Sequence, residues 1–220
     1  MILKICGITN QEDASAAIEA GATAVGFNFY SRSPRCLAPE QAGEIFTGEG
    51  VRRVGVFVNE TRARVEEIAH VARLDVAQLH GDESVADYPG GLKPAPPVHV
   101  NGVVGRALAR QILVWKALRV DASFDLALYE ANPAEALLLD GPAGDLYGGA
   151  GKSFDWSLVR QTDRKIVLAG GLDASNVADA IELVRPWGVD CCSRIESAPG
   201  RKDRKKMKEF LQAAMAAARA

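Results

Sequence analysis

The chain has 220 residues, of which 48% are hydrophobic and 25% charged, and a formal net charge of −2 at pH 7. This balance is typical of a globular protein with a substantial core, and it excludes a dedicated nucleic-acid binder, which would carry a strong basic excess. No apolar run approaches the roughly 18 residues that a membrane span needs. Lys4 and Gly7 interrupt the first apolar run early, so we expect no signal peptide.

The four cysteines have no spacing typical of a disulfide framework or a zinc site. Two of them are adjacent, which disfavours an ordinary disulfide between them, and no Cys-x-x-Cys pair or histidine set accompanies them. We therefore expect reduced thiols in a cytoplasmic, enzyme-sized protein. The cysteines are Cys6, Cys36, Cys191 and Cys192.

The first nine residues predict a short strand that ends at a reactive position. Five residues alternate up to Cys6, Gly7 breaks the strand, and Thr9 is expected to cap the helix that follows. Cys6 then lies at the carboxyl end of the strand, where parallel α/β folds carry their chemistry. Helix amino ends and a cation such as Lys4 favour a thiolate there. A small buried thiol without a catalytic role is the alternative.

The rest of the chain repeats the same unit, an apolar strand followed by a helix. The further strands are predicted over 23–29, 51–58, 74–79, 112–120, 134–139, 165–169 and 189–193. The helices are predicted over 11–20, from 39, over 60–71, 105–110 and 124–130, from 155, and over 175–184 and 203–220. The basic run within 201–206 is expected on a solvated helix face, and the Pro- and Val-rich stretch 91–111 has no assigned role.

Eight strand–helix units in 220 residues suit a compact (β/α)8 barrel near the low end of its size range. Strands such as 137–139 and 166–168 are continuous apolar runs, as expected where both faces of a parallel sheet are covered. A doubly wound open sheet is the main alternative, but it usually has fewer strands. No linker of disordered composition divides the chain, so we predict an α/β protein with a single TIM-barrel domain over residues 1–220.

The carboxyl ends of the eight strands would meet at one face of such a barrel. Cys6 and Asp140, at the ends of the first and sixth strands, would face each other as a thiolate and a carboxylic acid. Such a pair can move one proton off carbon and another onto oxygen. For Asp140 an Asx turn or a helix cap is the alternative. The other strand ends carry Asn28, Asn59, His80, Arg119, Gly170, Gly171 and Ser193.

Gly170 and Gly171 follow the seventh strand, where barrels often bind phosphate through backbone N–H groups and a helix amino end. Glycine permits positive φ and a close backbone approach, although a glycine pair also serves in any tight turn. Segment 148–153 looks like the end of a nucleotide-binding P-loop, but Leu146 stands where that motif needs glycine. We expect this loop to be a mobile lid rather than an ATP site.

Several motifs in one order make the chain resemble the phosphoribosylanthranilate isomerases of tryptophan biosynthesis. The resemblance implies a barrel without cofactor or metal that performs the Amadori rearrangement of N-(5-phosphoribosyl)anthranilate to the open-chain carboxyphenylamino-deoxyribulose phosphate. It also implies a small phosphosugar as the only partner, with neither nucleic acid nor membrane, and a monomer or homodimer. The motifs lie at 4–7, 54–59, 78–82, 148–152, 168–172 and 196–200.

The resemblance assigns roles to individual residues. Asp140 would protonate the furanose ring oxygen, and Cys6 would remove the C2 proton. Arg35 would bind the anthranilate carboxylate, which suits a guanidinium, unless it is a surface loop charge. His80 and Asp190 would be supporting polar residues, with a purely structural histidine as the alternative for His80. The phosphate would be bound by Gly170, Gly171, Ser193 and Arg194.

The chain departs from the family pattern at the eighth strand. The family usually reads Asp-Val-Ser-Ser-Gly-Val-Glu, whereas residues 190–196 read Asp-Cys-Cys-Ser-Arg-Ile-Glu. Arg194 thus replaces a glycine whose backbone N–H should help to hold phosphate. Arginine costs more at positive φ, but its side chain can add a charge-assisted contact. A non-catalytic sugar-phosphate-binding relative, or an isomerase with a different aldose substrate, is the alternative.

Overall fold

The computed structural model describes residues 1–88, 91–92, 99–100, 103–104, 111–141, 153–160 and 162–219. Eight parallel strands close into a barrel, which confirms the predicted architecture and excludes an open sheet. The barrel strands are β1 Ile2–Cys6, β2 Ala24–Asn28, β3 Arg52–Phe57, β4 Val76–Leu79, β5 Leu113–Arg119, β6 Ala136–Asp140, β7 Ile166–Leu168 and β8 Gly188–Cys191. Around the ring they follow the order β1, β8, β7, β6, β5, β4, β3, β2.

Helices and short turns connect these strands on the outside of the barrel. The α-helices in the described part of the chain are α1 Gln11–Glu19, α2 Pro39–Glu44, α3 Arg62–Val71, α4 Val177–Val184 and α5 Arg204–Ala217. Single 3-10 turns cover Val85–Asp87, Leu126–Tyr129, Trp156–Leu158 and Ser193–Ile195. Two short antiparallel pairs complete the described elements: His99–Val100 with Val103–Val104, and Glu196–Ala198 with Arg201–Lys202. None of the described helices has both the length and the apolar character needed to cross a membrane.

Two predictions about element ends are wrong. The cap of α1 is Asn10, whose Oδ1 accepts from the Asp13 N–H at 2.8 Å. The hydroxyl of Thr9 instead donates to the Gly200 carbonyl, which joins the first strand–helix loop to the far end of the chain. The eighth strand ends at Cys191 and does not reach Ser193, because a 3-10 turn begins at Ser193.

The helices predicted over 124–130 and from 155 are single 3-10 turns. In each, an aspartate at the start accepts from the N–H two residues on, at 3.0 Å, and this local bond favours a turn over a longer helix. The helix predicted over 105–110 and residues 148–152 of the predicted lid lie outside the described residues.

Alternation along the strands divides the apolar side chains into two sets. One set fills the barrel interior and includes Trp115 and Leu138. The other packs between the strands and the helices, where Leu139 and Phe210 are buried. Since successive strand side chains point to opposite faces, Asp140 shares the inward direction of Leu138, two residues before it. The inward rows therefore end in polar groups at the carboxyl face of the barrel.

Candidate active site

A cavity of about 420 Å³ opens at the carboxyl ends of the barrel strands. All of the residues that the sequence analysis assigned to the site lie on its wall, so the fold brings together groups that are far apart in the chain. These residues are Cys6, Arg35, His80, Asp140, Gly170, Gly171, Asp190, Ser193 and Arg194.

Cys6 and Asp140 reach this cavity from well-separated positions on the ring. Strands β1 and β6 are three positions apart in a ring of eight, with β8 and β7 between them. Cys6 is 8% exposed and the side chain of Asp140 is 13% exposed, so both groups are shielded but open to the cavity. A thiol and a carboxyl group thus face one enclosed volume from two flanks.

The other polar residues predicted at strand ends do not all line this cavity. Asn28 lines the same cavity. Arg119 lies on a neighbouring cavity of about 470 Å³, which shares His80 and Asp140 with the first. Asn59 lines neither of these two cavities; its Oδ1 accepts from the Asp82 N–H at 2.7 Å and so anchors the loop after β4.

A buried lysine holds the thiol side of the cavity. Lys4 lies two residues before Cys6 on β1 and so shares its inward face, and it stands opposite Asp190 in the parallel register of β1 and β8. The Lys4 ammonium has no exposed surface and donates to Asp190 Oδ2 at 2.7 Å. It is also close enough to Cys6 for the two groups to shift each other's pKa. One buried cation is therefore shared by two acids, which satisfies the requirement that a buried charge be paired.

This shared cation determines the protonation of its neighbours. Burial alone would lower the pKa of Lys4, but Asp190 and Cys6 raise it above its ordinary value. Burial raises the pKa of Asp190 to about 7, against the attraction of Lys4. For Cys6, a hydrogen bond with the Cys192 thiol lowers the pKa well below its ordinary value; burial opposes this, and Lys4 and Lys202 support it. The arrangement thus favours a Cys6 thiolate.

Gly26 on β2 leaves the space that the thiol and the ammonium occupy. A Cβ at this position would lie 2.7 Å from Cys6 Sγ and 3.1 Å from Lys4 Cε. Contacts this short would displace both groups. The absence of a side chain at Gly26 is therefore part of how the barrel positions Cys6.

The side chain of Asp140 contacts His80, whose ring is in turn positioned by Gln78. Nε2 of His80 lies 3.3 Å from Asp140 Oδ2, and Nδ1 lies 3.1 Å from Nε2 of Gln78. With the Gln78 amide assigned as the donor, Nδ1 accepts, and the neutral ring carries its proton on the nitrogen that faces Asp140. His80 thereby orients the carboxyl group toward the cavity.

Arg35 makes an ion pair that the sequence analysis missed. Its Nε and Nη2 donate to the two oxygens of Glu196 at 2.8 and 2.7 Å, a bidentate pair that fixes the guanidinium plane. Gly7, with φ of +72°, lies beneath it, and a Cβ there would be 2.6 Å from Arg35 Cδ. The Glu196 pair occupies one edge of the guanidinium, so a ligand carboxylate must use the remaining N–H groups.

Lys202 corrects the expectation of a solvated basic face. Its side chain has no exposed surface, and its ammonium donates to Glu196 Oε1 at 2.9 Å and to the Cys192 carbonyl at 3.0 Å. Side-chain cations therefore supply the positive charge on this flank of the cavity. Within the described ranges, no group of three or more His, Cys, Asp and Glu side chains is arranged to hold a metal ion.

The phosphate side of the cavity combines two glycines with an arginine. Gly170 and Gly171 have φ of +77° and +66°, which agrees with the backbone freedom expected of them. Arg194 belongs to a 3-10 turn and is not among the described residues with positive φ, so it carries no backbone strain. Its Nε lies 3.2 Å from Asp173 Oδ2, and its side chain is 50% exposed. Arg194 thus places a positive charge at the cavity rim.

Comparisons with known proteins show the family to which the chain belongs. A family model described as N-(5'phosphoribosyl)anthranilate (PRA) isomerase matches residues 3–213. The N-(5'-phosphoribosyl)anthranilate isomerase of Solibacter usitatus is 62% identical over 99% of this chain and 98% of its own length. The crystal structure of phosphoribosyl anthranilate isomerase from Thermotoga maritima is 39% identical, covers 98% of this chain and 100% of its own, and has a TM-score of 0.81.

A second crystal structure of this kind holds a ligand. It is phosphoribosyl anthranilate isomerase in complex with reduced 1-(o-carboxyphenylamino)-1-deoxyribulose 5-phosphate, with 38% identity and a TM-score of 0.78. The alignment covers 98% of this chain and 100% of that one, so the similarity is not confined to a part of the barrel. The chain belongs to the N-(5'-phosphoribosyl)anthranilate isomerase family.

Proposed function

We propose that Cys6 and Asp140 carry the acid–base chemistry of this isomerase. The enzyme converts N-(5'-phosphoribosyl)anthranilate to 1-(2-carboxyphenylamino)-1-deoxyribulose 5-phosphate. The observation that carries the proposal is that a thiol on β1 and a carboxyl group on β6 line one shielded cavity. The reaction needs one proton delivered to oxygen and one removed from carbon, and the two groups match these tasks.

The rearrangement follows from these positions. Protonated Asp140 donates to the furanose ring oxygen while the bond from C1 to that oxygen breaks, and the anthranilate nitrogen lone pair forms the protonated imine. The Cys6 thiolate then removes the C2 proton, and the electron pair of that C–H bond gives a neutral enolamine. This intermediate tautomerises to the C2 ketone. His80, whose Nε2 lies 3.3 Å from Asp140 Oδ2, orients Asp140 for the first step, and Lys4 favours the thiolate for the second.

The two ends of the substrate fit the charges around the cavity. The backbone at Gly170 and Gly171, with Ser193 and Arg194, suits the phosphate group. Arg35 suits the anthranilate carboxylate through the N–H groups that Glu196 does not use. Asp190 supports the thiolate side through its ion pair with Lys4.

The test separates binding from turnover. Turnover is followed as the loss of substrate fluorescence, and binding is measured with the reduced product analogue. We expect the wild type to bind and turn over, and a Cys6→Ala and Asp140→Ala double variant to bind within a few-fold but not turn over. Binding without turnover by the wild type would favour the non-catalytic alternative. Turnover by the double variant would contradict the assigned roles.

A second measurement tests the phosphate end. Replacing Arg194 with Ala should raise KM and the inhibition constant of inorganic phosphate by about fivefold with little change in kcat, since a half-exposed charge contributes about 1 kcal/mol to binding. Arg160→Ala, which removes an exposed arginine that lines neither cavity, is the matched control. An unchanged KM in the Arg194 variant would remove this residue from the phosphate site.

A further inference from the structure

A second thiol lies beside Cys6, and the proposed rearrangement does not use it. Ile5 and Cys191 are partners in the parallel register of β1 and β8, so the next residues, Cys6 and Cys192, come side by side. Each thiol shifts the pKa of the other, and both line the cavity. Neither is part of a disulfide. The barrel thus holds two reduced cysteines side by side at the mouth of the site.

We propose that this pair is an oxidation site at which a hydroperoxide forms a reversible Cys6–Cys192 disulfide. Its effect on activity rests on the proposed role of Cys6 as the base, but the disulfide itself does not depend on that role.

The backbone geometry permits the bond. Neighbouring strands lie roughly 4.8 Å apart, and disulfides join Cα atoms that are about 4.4–6.8 Å apart. Glycines flank both sulfurs: a Cβ at Gly26 would lie 2.7 Å from Cys6 Sγ, and one at Gly7 would lie 3.0 Å from Cys192 Sγ. Because these two positions carry no side chain, each sulfur has free space beside it.

The charges around the pair assign different roles to the two sulfurs. The Lys4 ammonium favours the charged form of Cys6, and the lowered pKa of Cys6 makes it the thiolate that attacks the peroxide. The hydrogen bond to Cys6 raises the pKa of Cys192, which keeps its proton and follows as the resolving thiol. Lys202 Nζ, 3.9 Å from Cys192 Sγ, favours the developing negative charge when that thiol reacts.

The other cysteines lie in settings that do not offer the same reaction. Cys191 is buried, and its thiol donates to the Leu172 carbonyl at 2.9 Å. Burial also raises its pKa, which disfavours the thiolate. Cys36 is an exposed residue whose thiol is partly covered, and this partial burial raises its pKa as well.

The oxidation balances in two steps. The Cys6 thiolate attacks one oxygen of hydrogen peroxide, the O–O bond breaks, and the departing hydroxide takes up a proton to become water, leaving Cys6 as a sulfenic acid. The Cys192 sulfur then attacks the Cys6 sulfur and breaks the S–O bond, and the second hydroxide leaves as water with the Cys192 proton. Two thiols and one peroxide give one disulfide and two waters, so the thiols supply the two electrons that reduce the peroxide.

The experiment treats the whole protein with hydrogen peroxide, blocks remaining thiols with N-ethylmaleimide, and maps the peptides by mass spectrometry. We expect the loss of two hydrogen atoms and a single cross-link between the Cys6 and Cys192 peptides. Activity should fall in proportion to the cross-linked fraction and return with dithiothreitol. The reduced product analogue, bound in the cavity, should slow the reaction.

Matched variants separate the outcomes. Cys36→Ser removes a thiol outside the pair and should behave as the wild type. Cys192→Ser should form no cross-link, and Cys6 should gain oxygen atoms in a product that dithiothreitol does not reverse. Oxygen uptake at wild-type Cys6 without a cross-link, or a cross-link through Cys36 or Cys191, would overturn the proposal. A Cys6–Cys192 cross-link in a fully active protein would support the disulfide and instead overturn the catalytic role of Cys6.

Discussion

Replacing Asp140 with Asn should lower kcat/KM by about 10²–10⁴-fold, the usual contribution of a general acid. Asparagine keeps the size of the side chain and an oxygen that can accept from His80, but it has no proton to give to the furanose ring oxygen. The loss should therefore appear in kcat, while the affinity for the reduced product analogue stays within a few-fold. Substrate fluorescence gives the rate, and a thermal unfolding curve checks that the barrel is intact.

The control for this variant is Asp163→Asn, which removes the same charge from an exposed residue that lines neither cavity. Its kcat/KM should equal that of the wild type. If Asp140→Asn retained more than about a tenth of the wild-type rate, the proton to the ring oxygen would have to come from another group.

Replacing Cys6 with Ser should cause a loss of similar size, about 10²–10⁴-fold in kcat/KM. A hydroxyl fits the space beside Gly26, but it does not ionise near neutral pH and so supplies no base for the C2 proton. The measurement is again the loss of substrate fluorescence. Full activity in this variant would show that the thiol is not the base.

The pH dependence of the wild type tests the same residue. Because its pKa is lowered, Cys6 remains a thiolate at pH values where an ordinary cysteine is protonated. As the pH falls, kcat/KM should therefore stay constant until Cys6 itself becomes protonated. The rate of Cys6 alkylation by iodoacetamide should follow the same curve. In Cys192→Ala, which removes the hydrogen bond that lowers the Cys6 pKa, both curves should move to higher pH. A curve that did not move would show that Cys192 has no influence on the thiol.

The barrel and its two principal groups could be predicted because they depend on local patterns. The short continuous runs of apolar residues predict the strands, and parallel strands bring their carboxyl ends to one face. Cys6 and Asp140 follow from that rule alone, since each stands where a strand ends. Gly170 and Gly171 follow from the same rule.

What the sequence could not provide are the pairings between distant parts of the chain. Lys4 and Asp190 are 186 residues apart, and only the register of β1 against β8 places them together. Lys202 lies in a run of basic residues that reads as a solvated face, yet the fold buries it against Glu196. A local pattern carries no information on such contacts, because burial by distant residues overrides it.

The cap of the first helix was predicted wrongly because two neighbouring residues both suit the cap position. Thr9 and Asn10 are both good helix caps, and Asn10 takes the position while the Thr9 hydroxyl is used by the Gly200 carbonyl. The turn that contains Gly200 was predictable in principle, since Pro199 and Gly200 form a strong turn signal. Gly200 has φ of +80° in the structure.

The position of Lys4 between Cys6 and Asp190 affects the charge balance of the site after the proposed proton transfer to Cys6. In the proposed mechanism, Cys6 takes up a proton from the substrate and so loses its negative charge within the shielded cavity. The ammonium is not left without a counterion at that moment, because the Asp190 carboxylate remains 2.7 Å away and binds its own proton less readily once the thiolate is gone. In this mechanism, Asp190 keeps a negative charge beside Lys4 in both halves of the catalytic cycle, whether Cys6 is charged or neutral.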